Sequence, residues 1–406
     1  MSPGQFALAA LRYALSHLVR LCSSAIPRDD RRWVFTSGSG DRFAGNSKYL
    51  FLYTAERGDI RPIWITSDRD IVRELSNAGY EAYYAESIRG RYTLLRARRI
   101  FRTGSAAFWP YTGGAEYIQL WHANPTKRMG YDKDERLSPF DWFHSRYVSF
   151  DWDRFVVTSA GPPKQVYAGA YRIPEDRILV AGYPRNDALF RDVQGIEIGL
   201  DTKAYGRVRE LHEEHTIVSY MPTWRRSTSE RDGRSIAESR VDLERVNHLM
   251  ERADAYFLLK YHPLSTVAPA VEDLDRVLVL PAALDVSAVL QYVDVLVTDY
   301  SSVYLDFLLL DRPLVFYPFD LAEYRNSRGL YFEYDAVTPG PKAMDFEELY
   351  TELERALDGE DDYEAERAAV RERFYEYQDG ESSRRVYEAM FGSTEAIDPA
   401  EASESW

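Results

Sequence analysis

The chain has 406 residues, of which 45% are hydrophobic and 14% aromatic, a composition typical of a folded protein with room for two domains. Its formal net charge of −15 argues against a nucleic-acid partner held by overall electrostatic attraction. Cys22 is the only cysteine, which excludes an intramolecular disulfide and a cysteine-based zinc site, and fits a reducing compartment.

The chain opens with an amphipathic segment, residues 6–22, followed by a polar link that ends near residue 30. Apolar residues recur there at helical spacing: Leu8, Leu11, Leu15, Leu18 and Cys22. No apolar run approaches the ~20 residues needed to span a bilayer, and charged residues interrupt the core that a signal peptide requires. Two interpretations stay open: a helix lying on the cytoplasmic face of the membrane, or a helix packed on the first domain.

Strands and helices then alternate through a predicted first domain, residues 31–205. The predicted strands are 33–35, 62–66, 81–85, 99–101, 117–121, 154–158 and 178–181. The predicted helices include 46–55, 68–78 and 87–96. Strands separated by helices favour a parallel, doubly wound sheet, which binds ligands beyond the carboxyl ends of its strands.

Around residues 199–213 the apolar periodicity gives way to charge, which predicts a domain boundary. The second domain, 206–391, repeats the alternation with strands at 216–220, 256–261, 277–280, 295–298 and 314–317. Its charged C-terminal helices are expected to pack back over the first domain. They are predicted at 346–357, 363–377 and 382–391. The polar, acidic tail 392–406 is predicted to be disordered. The fold class is therefore α/β, with two Rossmann-like domains behind an amphipathic helix.

The stretch 294–320 is the most informative part of the chain. It predicts a strand, the turn Thr-Asp-Tyr-Ser-Ser at 298–302, a buried helix and a second strand. Ser301 and Ser302 would stand at the N-terminus of that helix, where free N–H groups and the helix dipole favour an anion. From spacing alone, the two serines could equally well serve only as helix caps.

Two histidines occupy matching places in the two domains. His122 follows the strand 117–121, and His262 follows the strand 256–261, each with a proline close behind. A single histidine of this kind is more often structural, but one at the carboxyl end of a strand in each domain favours a shared catalytic cleft. We see no pair of carboxylates that would predict a metal site.

Six segments together resemble the CDP-glycerol glycerophosphotransferases, which prime and polymerise teichoic acids. Residues 121–127 (WHANPTK) are similar to the family's W-H-G-T-P-L-K, with Ala123 in place of the glycine. The others are 182–187 (GYPRND), 222–225 (PTWR), 260–263 (KYHP), 298–302 (TDYSS) and 328–332 (RGLYF). Residues 43–49 (FAGNSKY) also resemble the family's first loop. In this order the segments are specific, and they span nearly the whole chain except its ends.

The resemblance implies the GT-B architecture and a set of site residues. The implied catalytic residues are His122 and His262. The implied donor-binding residues are Asn124, Pro125, Arg185, Pro222, Thr223, Lys260, Ser301, Ser302, Asp306 and Arg328. His122 is the candidate base and His262 would assist the pyrophosphate, although the two roles could be exchanged. The arginines are candidate phosphate clamps, and Asp306 could accept a hydrogen bond from a donor hydroxyl.

The expected reaction is transfer of glycerol phosphate from CDP-glycerol to a hydroxyl of a lipid-linked or polyol-phosphate acceptor, with release of CMP. CDP-glycerol is the donor substrate, and no cofactor or metal is expected. The protein would be peripheral at the membrane, and no nucleic-acid partner is expected. Two alternatives stay open: a transferase of the same fold that uses CDP-ribitol or a nucleotide sugar, and an inactive module that binds polyanions.

Overall fold

The computed structural model describes residues 3–104, 108–133, 152–223, 240–260, 271 and 273–395. In the first domain, seven parallel strands form one sheet in the order β3-β2-β1-β4-β5-β6-β7. They are β1 (Asp29–Ser37), β2 (Arg61–Thr66), β3 (Ala82–Tyr84), β4 (Ala97–Thr103), β5 (Glu116–Gln119), β6 (Arg154–Val157) and β7 (Ile178–Val180). The strand order reverses at β1 and β4, as in a doubly wound fold. The predicted first domain is thus a parallel α/β unit.

The described helices of the first domain and the segment before it include an N-terminal helix and four helices that flank the sheet. They are α1 (Pro3–Ser24), α2 (Gly45–Ala55), α3 (Arg69–Asn77), α4 (Ile88–Arg96) and α5 (Pro162–Tyr171). A 3-10 helix, Pro184–Leu189, follows β7. Asp68 and Ser87 begin α3 and α4 by accepting hydrogen bonds from backbone N–H groups, as helix caps do. Four of these helices lie where the apolar periodicity predicts them; α5 was not predicted.

The second domain carries a five-stranded parallel sheet in the order β10-β9-β8-β11-β12. Its strands are β8 (Thr216–Tyr220), β9 (Ala255–Lys260), β10 (Val277–Leu280), β11 (Val295–Thr298) and β12 (Leu314–Phe316). Each bound lies within one residue of the prediction. Continuous apolar runs such as 295–297 identify strands that are buried on both faces.

Of the described helices that follow, α6 to α9 precede strands of the second sheet and α10 to α13 come after its last strand. They are α6 (Thr202–Glu214), α7 (Leu243–Arg252), α8 (Val286–Val289), α9 (Val303–Phe307), α10 (Leu321–Arg328), α11 (Phe346–Leu357), α12 (Glu364–Phe374) and α13 (Ser382–Glu395). A 3-10 turn, Leu308–Leu310, extends α9 to the predicted end of its helix. Helix α13 continues to Glu395, past the predicted start of the tail, and residues 396–406 lie outside the described residues.

The charged segment predicted as the domain boundary forms helix α6. Asp201 caps the helix, and Tyr205, Val208 and Leu211 are its buried side chains. These three residues recur every third position, so one apolar stripe packs inward while the charged residues face solvent. Charge at these positions therefore belongs to the outer face of a helix. The boundary itself stays a prediction.

One buried hydrophobic cluster contains side chains of both domains. Tyr49, Ala188, Leu189 and Ile196 belong to the same buried cluster as Leu258, Leu296 and Phe316 of the second sheet. The C-terminal helix strengthens this junction, because Val386, Tyr387 and Met390 pack into the core of the first domain. The predicted return of the C-terminal helices over the first domain is confirmed for α13.

Helix α1 joins the body of the protein through its C-terminal end. The Ser23 hydroxyl donates to the carbonyl of Pro110 at 3.3 Å and accepts from the N–H of Gly113 at 2.8 Å. Three leucines of α1 remain exposed: Leu15 (53%), Leu18 (55%) and Leu21 (70%). Within the described part of the chain, no helix combines the length and the apolar character needed to cross a membrane.

Candidate active site

The carboxyl end of β5 places His122 at the cleft between the domains. Trp121 adopts a left-handed backbone conformation with φ of +54°, which costs free energy for a bulky residue and persists only where its surroundings hold it. The Asn46 amide donates to the carbonyls of Leu120 and Trp121, both at 2.9 Å, and Gln119 accepts from the Trp121 N–H at 3.1 Å. This sharp turn directs the next residue, His122, out of the sheet.

The electrostatic surroundings keep His122 neutral. Its side chain is exposed at the cleft surface, yet protein atoms crowd the ring, with the Trp121 indole at a centroid distance of 4.7 Å. Desolvation by these atoms, and then the positive charge of Arg185, lower the pKa of His122 to about 4. A neutral imidazole at pH 7 can accept a proton.

Arg185 connects the histidine loop to the second domain. Its Nη1 donates to the His122 carbonyl at 2.5 Å, and its Nη2 forms a salt bridge with Asp306 on α9. The Arg185 N–H donates to the Asn46 Oδ1 at 3.1 Å, so one asparagine holds both the histidine loop and the arginine. Among the described residues, no partner accepts a hydrogen bond from the buried Nε of Arg185. Arg185 thus has one guanidinium N–H without a partner in this part of the chain, and its contact with a phosphate stays a prediction.

Asp306 is the centre of a buried hydrogen-bond network. Besides Arg185, its carboxylate accepts from Asn186 at 3.2 Å and from the Tyr375 hydroxyl at 2.8 Å. Asn124 donates to the same hydroxyl at 2.9 Å and accepts from Thr158 at 2.6 Å. Asn124 and Asp306 thus link the two domains at the cleft. Direct contact of either residue with the donor substrate stays a prediction.

The serine turn lies beside the end of the neighbouring strand. Asp299 accepts from the Thr223 N–H at 2.9 Å and from the Tyr300 N–H at 2.5 Å. Strands β8 and β11 pair in parallel, so their carboxyl ends bring the Pro222–Thr223 segment and the serine turn to one place. The Ser302 side chain makes no capping hydrogen bond to α9. Ser302 therefore does not act as a side-chain cap of α9, and an anion at this turn stays a prediction.

Two of the predicted motifs meet across the domains. The backbone of Lys127 pairs with Leu330 as an antiparallel β-bridge. The flanking N–H groups of Arg128 and Tyr331 donate to Gly329 at 3.2 Å and to Thr126 at 3.0 Å. The loop that carries His122 and the buried Pro125 is thereby fixed to the segment after α10. Arg328 ends that helix, but its side chain lies outside the described part of the chain.

Two lysines approach the junction between the domains. Lys260, at the end of β9, donates to the Ala282 carbonyl at 2.8 Å, and Lys48 donates to the Ile196 carbonyl at 2.6 Å. Burial lowers the pKa of each lysine to about 8, although the charge of Asp285 opposes the shift in both. Lys260 was predicted as a donor-binding residue. Lys48 was not, although it lies in the segment 43–49 that resembles the family's first loop.

The structure therefore joins His122, Arg185, Asp306 and Asn124 in one network and gathers Pro222, Thr223, Ser301 and Ser302 at one strand edge. His262 lies outside the described residues, so its placement stays a prediction. Sequence reasoning missed the contributions of Asn46, Asn186 and Tyr375. The two asparagines stood inside quoted motifs, whereas no local pattern marked Tyr375.

Two Rossmann-like domains, each with one parallel sheet, meet at this cleft, and this arrangement is the GT-B architecture. The chain belongs to the CDP-glycerol:poly(glycerophosphate) glycerophosphotransferase family, whose sequence profile matches residues 18–392. It is accordingly a polyol-phosphate transferase, and the predicted family and fold class are confirmed.

Named relatives differ in the polyol that they transfer. The chain is 28% identical over 371 residues to the teichoic acid glycerol-phosphate transferase of Staphylococcus aureus, covering 88% of this chain and 92% of that protein. It is 27% identical over 390 residues to the teichoic acid ribitol-phosphate polymerase TarL of the same organism, covering 89% of this chain and 62% of that protein. Both identities are low and nearly equal, so they do not decide between glycerol and ribitol.

A solved structure has the same fold along the chain. A histidine-to-asparagine variant of the wall teichoic acid polymerase TagF superimposes with a TM-score of 0.78 and 22% identity, covering 98% of this chain and 99% of that one. At this identity, the likeness establishes the arrangement of the two domains and not the substrate.

Proposed function

We propose that this protein transfers glycerol phosphate from CDP-glycerol to a hydroxyl of a membrane-linked teichoic acid acceptor. The observation that carries the proposal is the link from His122 through Arg185 to Asp306. In this link the candidate base lies beside a cation that pairs with a carboxylate of α9, the helix that follows Ser301 and Ser302. Family membership supplies the class of donor.

The reaction follows from these positions. The acceptor hydroxyl oxygen attacks the phosphorus that bears glycerol, and the bond from that phosphorus to the bridging oxygen breaks. His122 takes the hydroxyl proton, and CMP leaves with the bond electrons on its phosphate. Arg185 and the donors at the start of α9 would stabilise the charge that develops on the phosphates. His262 is proposed to assist the leaving phosphate.

A product assay tests the proposal. Purified protein is incubated with CDP-glycerol, or with CDP-ribitol, and a panel of lipid-linked acceptors, and the products are measured by mass spectrometry. We expect release of CMP and an added mass of one glycerol phosphate. Transfer from CDP-ribitol alone would select the second candidate, which the likeness to TarL supports. In a parallel incubation with nucleotide sugars, release of CDP or UDP would indicate glycosyl transfer, and binding of CDP-glycerol without turnover would indicate an inactive module.

We further propose that α1 holds the protein at the membrane surface. The exposed residues Leu15, Leu18 and Leu21 support this, because apolar side chains on a surface helix gain free energy by entering a bilayer interface. A variant with all three leucines changed to serine should float poorly with liposomes. The control variant Ile88→Ser/Met344→Ser removes exposed apolar side chains elsewhere and should float normally. Equal flotation of both variants would contradict the proposal.

A further inference from the structure

Asp285 joins the second sheet to the first residues of α2. It lies between β10 and β11, and its Oδ2 accepts from the Gly45 N–H of the first domain at 3.4 Å. Its Oδ1 accepts from the Ser287 N–H at 3.1 Å and begins α8. Helices α2 and α8 both lie against the 3-10 helix 184–189, which carries Arg185. One carboxylate therefore stands where three elements around the candidate active site meet.

The start of α2 has no side-chain cap of its own. Ala44 occupies the N-cap position and offers no side-chain acceptor, so the first N–H groups of the helix need partners from elsewhere. The Ser47 N–H donates to the Thr103 Oγ1 at 3.0 Å, and the Gly45 N–H donates to Asp285. The second hydrogen bond is long, but the helix dipole also stabilises a carboxylate at this end. Asp285 thus caps a helix of the other domain.

Two buried lysines also lie in the field of Asp285. Lys48 on α2 is fully buried, and Lys260 at the end of β9 is almost fully buried. Burial lowers the pKa of both lysines, and the charge of Asp285 opposes this shift in each. The Lys48 ammonium is fixed by the carbonyls of Ile196 and Ile198, at 2.6 and 2.9 Å. Asp285 therefore interacts favourably with one buried cation from each domain.

We propose that Asp285 is a positioning residue for the transfer reaction, which fixes α2, and through it the turn before His122, against the second domain. Asn46 follows Gly45 on α2, and its side chain holds both that turn and the Arg185 N–H. A shift at the start of α2 would therefore move the candidate base and the arginine together. The inference rests on the proposed function, because it concerns the geometry of the same site.

A double-mutant cycle tests whether Asp285 acts through Asn46. Turnover in the CDP-glycerol assay is measured for Asp285→Ala, Asn46→Ala and the double variant. Because misplaced catalytic groups cost up to about a hundredfold in rate, Asp285→Ala should lower kcat roughly tenfold to a hundredfold. The double variant should lose much less than the product of the two single losses, since both residues hold the same turn.

The matched control removes a helix cap inside the second domain. Asp345 caps α11 by accepting from the Glu348 N–H at 3.0 Å. Asp345→Ala should therefore destabilise the protein to a degree similar to Asp285→Ala, while its kcat stays near the native value. Combined with Asn46→Ala, it should show independent effects. Equal loss of kcat in the two aspartate variants would mean that Asp285 acts through stability alone and would overturn the proposal.

An assay at two pH values separates position from charge. Lys48 and Lys260 each have a pKa of about 8, so both remain protonated at pH 6. Asp285→Ala should lower kcat at pH 6 as much as at pH 8. A loss that is present at pH 8 and absent at pH 6 would show that Asp285 only keeps the lysines charged, which contradicts the positioning role.

Hydrogen exchange measured by mass spectrometry gives a readout that needs no turnover. Asp285→Ala should exchange faster in the first turn of α2 and in residues 120–122, whereas Asp345→Ala should exchange faster in α11 only. A native protein without turnover would refute the transfer reaction and leave this measurement to decide the link. Unchanged exchange at the start of α2 overturns the inference. If Asp285→Ala does not fold, Asp285→Asn, which keeps one acceptor oxygen, takes its place with a smaller expected effect.

Discussion

At the scale of residues, the protein joins one neutral histidine to one arginine that pairs with a carboxylate of the second domain. His122 can take a proton only if it is unprotonated before the reaction. Arg185 contributes to this, because its charge opposes protonation of the imidazole. The same guanidinium is anchored by the His122 carbonyl and by Asp306, so its position depends on both domains. One side chain therefore lies between the candidate base and the second domain.

The titration of His122 is the first prediction at this scale. NMR of the ring protons should show no titration of His122 between pH 8 and pH 5, and protonation near pH 4. Arg185→Gln should raise its pKa, whereas Arg185→Lys, which keeps the charge, should raise it less. In unfolded chains histidine protonates near pH 6.5, so the unfolded state binds the proton first. This site therefore loses stability as pH falls from about 6.5 to about 4. Titration near 6.5 in the native protein would contradict the assignment.

The serines and the histidine should affect different kinetic constants. Ser301→Ala/Ser302→Ala should weaken CDP-glycerol binding by roughly tenfold to a thousandfold, because charge-assisted hydrogen bonds to phosphate are lost. His122→Ala should lower turnover by about a hundredfold to ten-thousandfold with little change in donor affinity, since a base acts on the acceptor.

Calorimetry and initial rates separate these two outcomes. The exposed Ser76→Ala serves as a control that should behave like the native protein. Normal donor binding by the serine variant, or near-normal turnover by His122→Ala, would show that the roles are assigned wrongly.

At the scale of elements, the C-terminal helix is held by a cap supplied from another domain. Asp187 accepts hydrogen bonds from the N–H groups of Ser382 and Ser383, both at 2.8 Å. These are donors that the first turn of α13 cannot satisfy within the helix. The motif GYPRND thus serves two purposes: Arg185 faces the cleft, and Asp187 fixes the helix that covers the first domain.

Removing this cap should loosen α13. Asp187→Ala should lower the free energy of unfolding by about 1–2 kcal/mol, the usual cost of losing a helix cap. Asp187→Asn, which keeps one acceptor oxygen, should cost less. Chemical denaturation measures both values, and hydrogen exchange should show faster exchange in α13 of the alanine variant. Unchanged exchange there would mean that packing of Val386 and Met390 alone holds the helix.

The same carboxyl should make stability depend on pH. Burial raises the pKa of Asp187 to about 6, against the hydrogen bonds from Ser382 and Ser383 and the charge of Arg191. Between about pH 4 and pH 6 the folded state then binds more protons than the unfolded state. Its contribution to stability therefore falls as pH rises through this window. The difference in unfolding free energy between the native protein and Asp187→Asn isolates this contribution.

At the scale of the whole molecule, the two domains and the C-terminal segment meet at one tyrosine. Tyr375 accepts from Asn124 of the first domain and donates to Asp306 of the second. A shared hydrophobic core surrounds this contact. Hydrogen bonds at the cleft therefore join both domains and the C-terminal segment. We expect residues such as Tyr375 to influence the reaction through these bonds.

Tyr375→Phe tests this coupling. The change removes one hydroxyl and leaves the buried Asn124 amide and Asp306 carboxylate each short of a partner, which should cost about 1–3 kcal/mol of stability. Turnover should fall more than donor affinity, because the His122 loop and Arg185 lose a common support. The matched variant Tyr377→Phe changes a more exposed tyrosine two residues away and should leave both properties unchanged. Equal behaviour of the two variants would contradict a positioning role for Tyr375.

The amino-acid sequence by itself determined the α/β class, the positions of the strands and the motifs that reach the cleft. These depend on local patterns: apolar runs identify buried strands, and polar residues directly after a strand lie at a sheet edge. Tertiary structure alone decided the hydrogen-bond partners within the site. Asn124 and Tyr375 are 251 positions apart, and no periodicity reports which distant donor will satisfy a buried acceptor. The same holds for Lys48 and for the Asp187 cap, because burial and pairing are set by how the two domains pack.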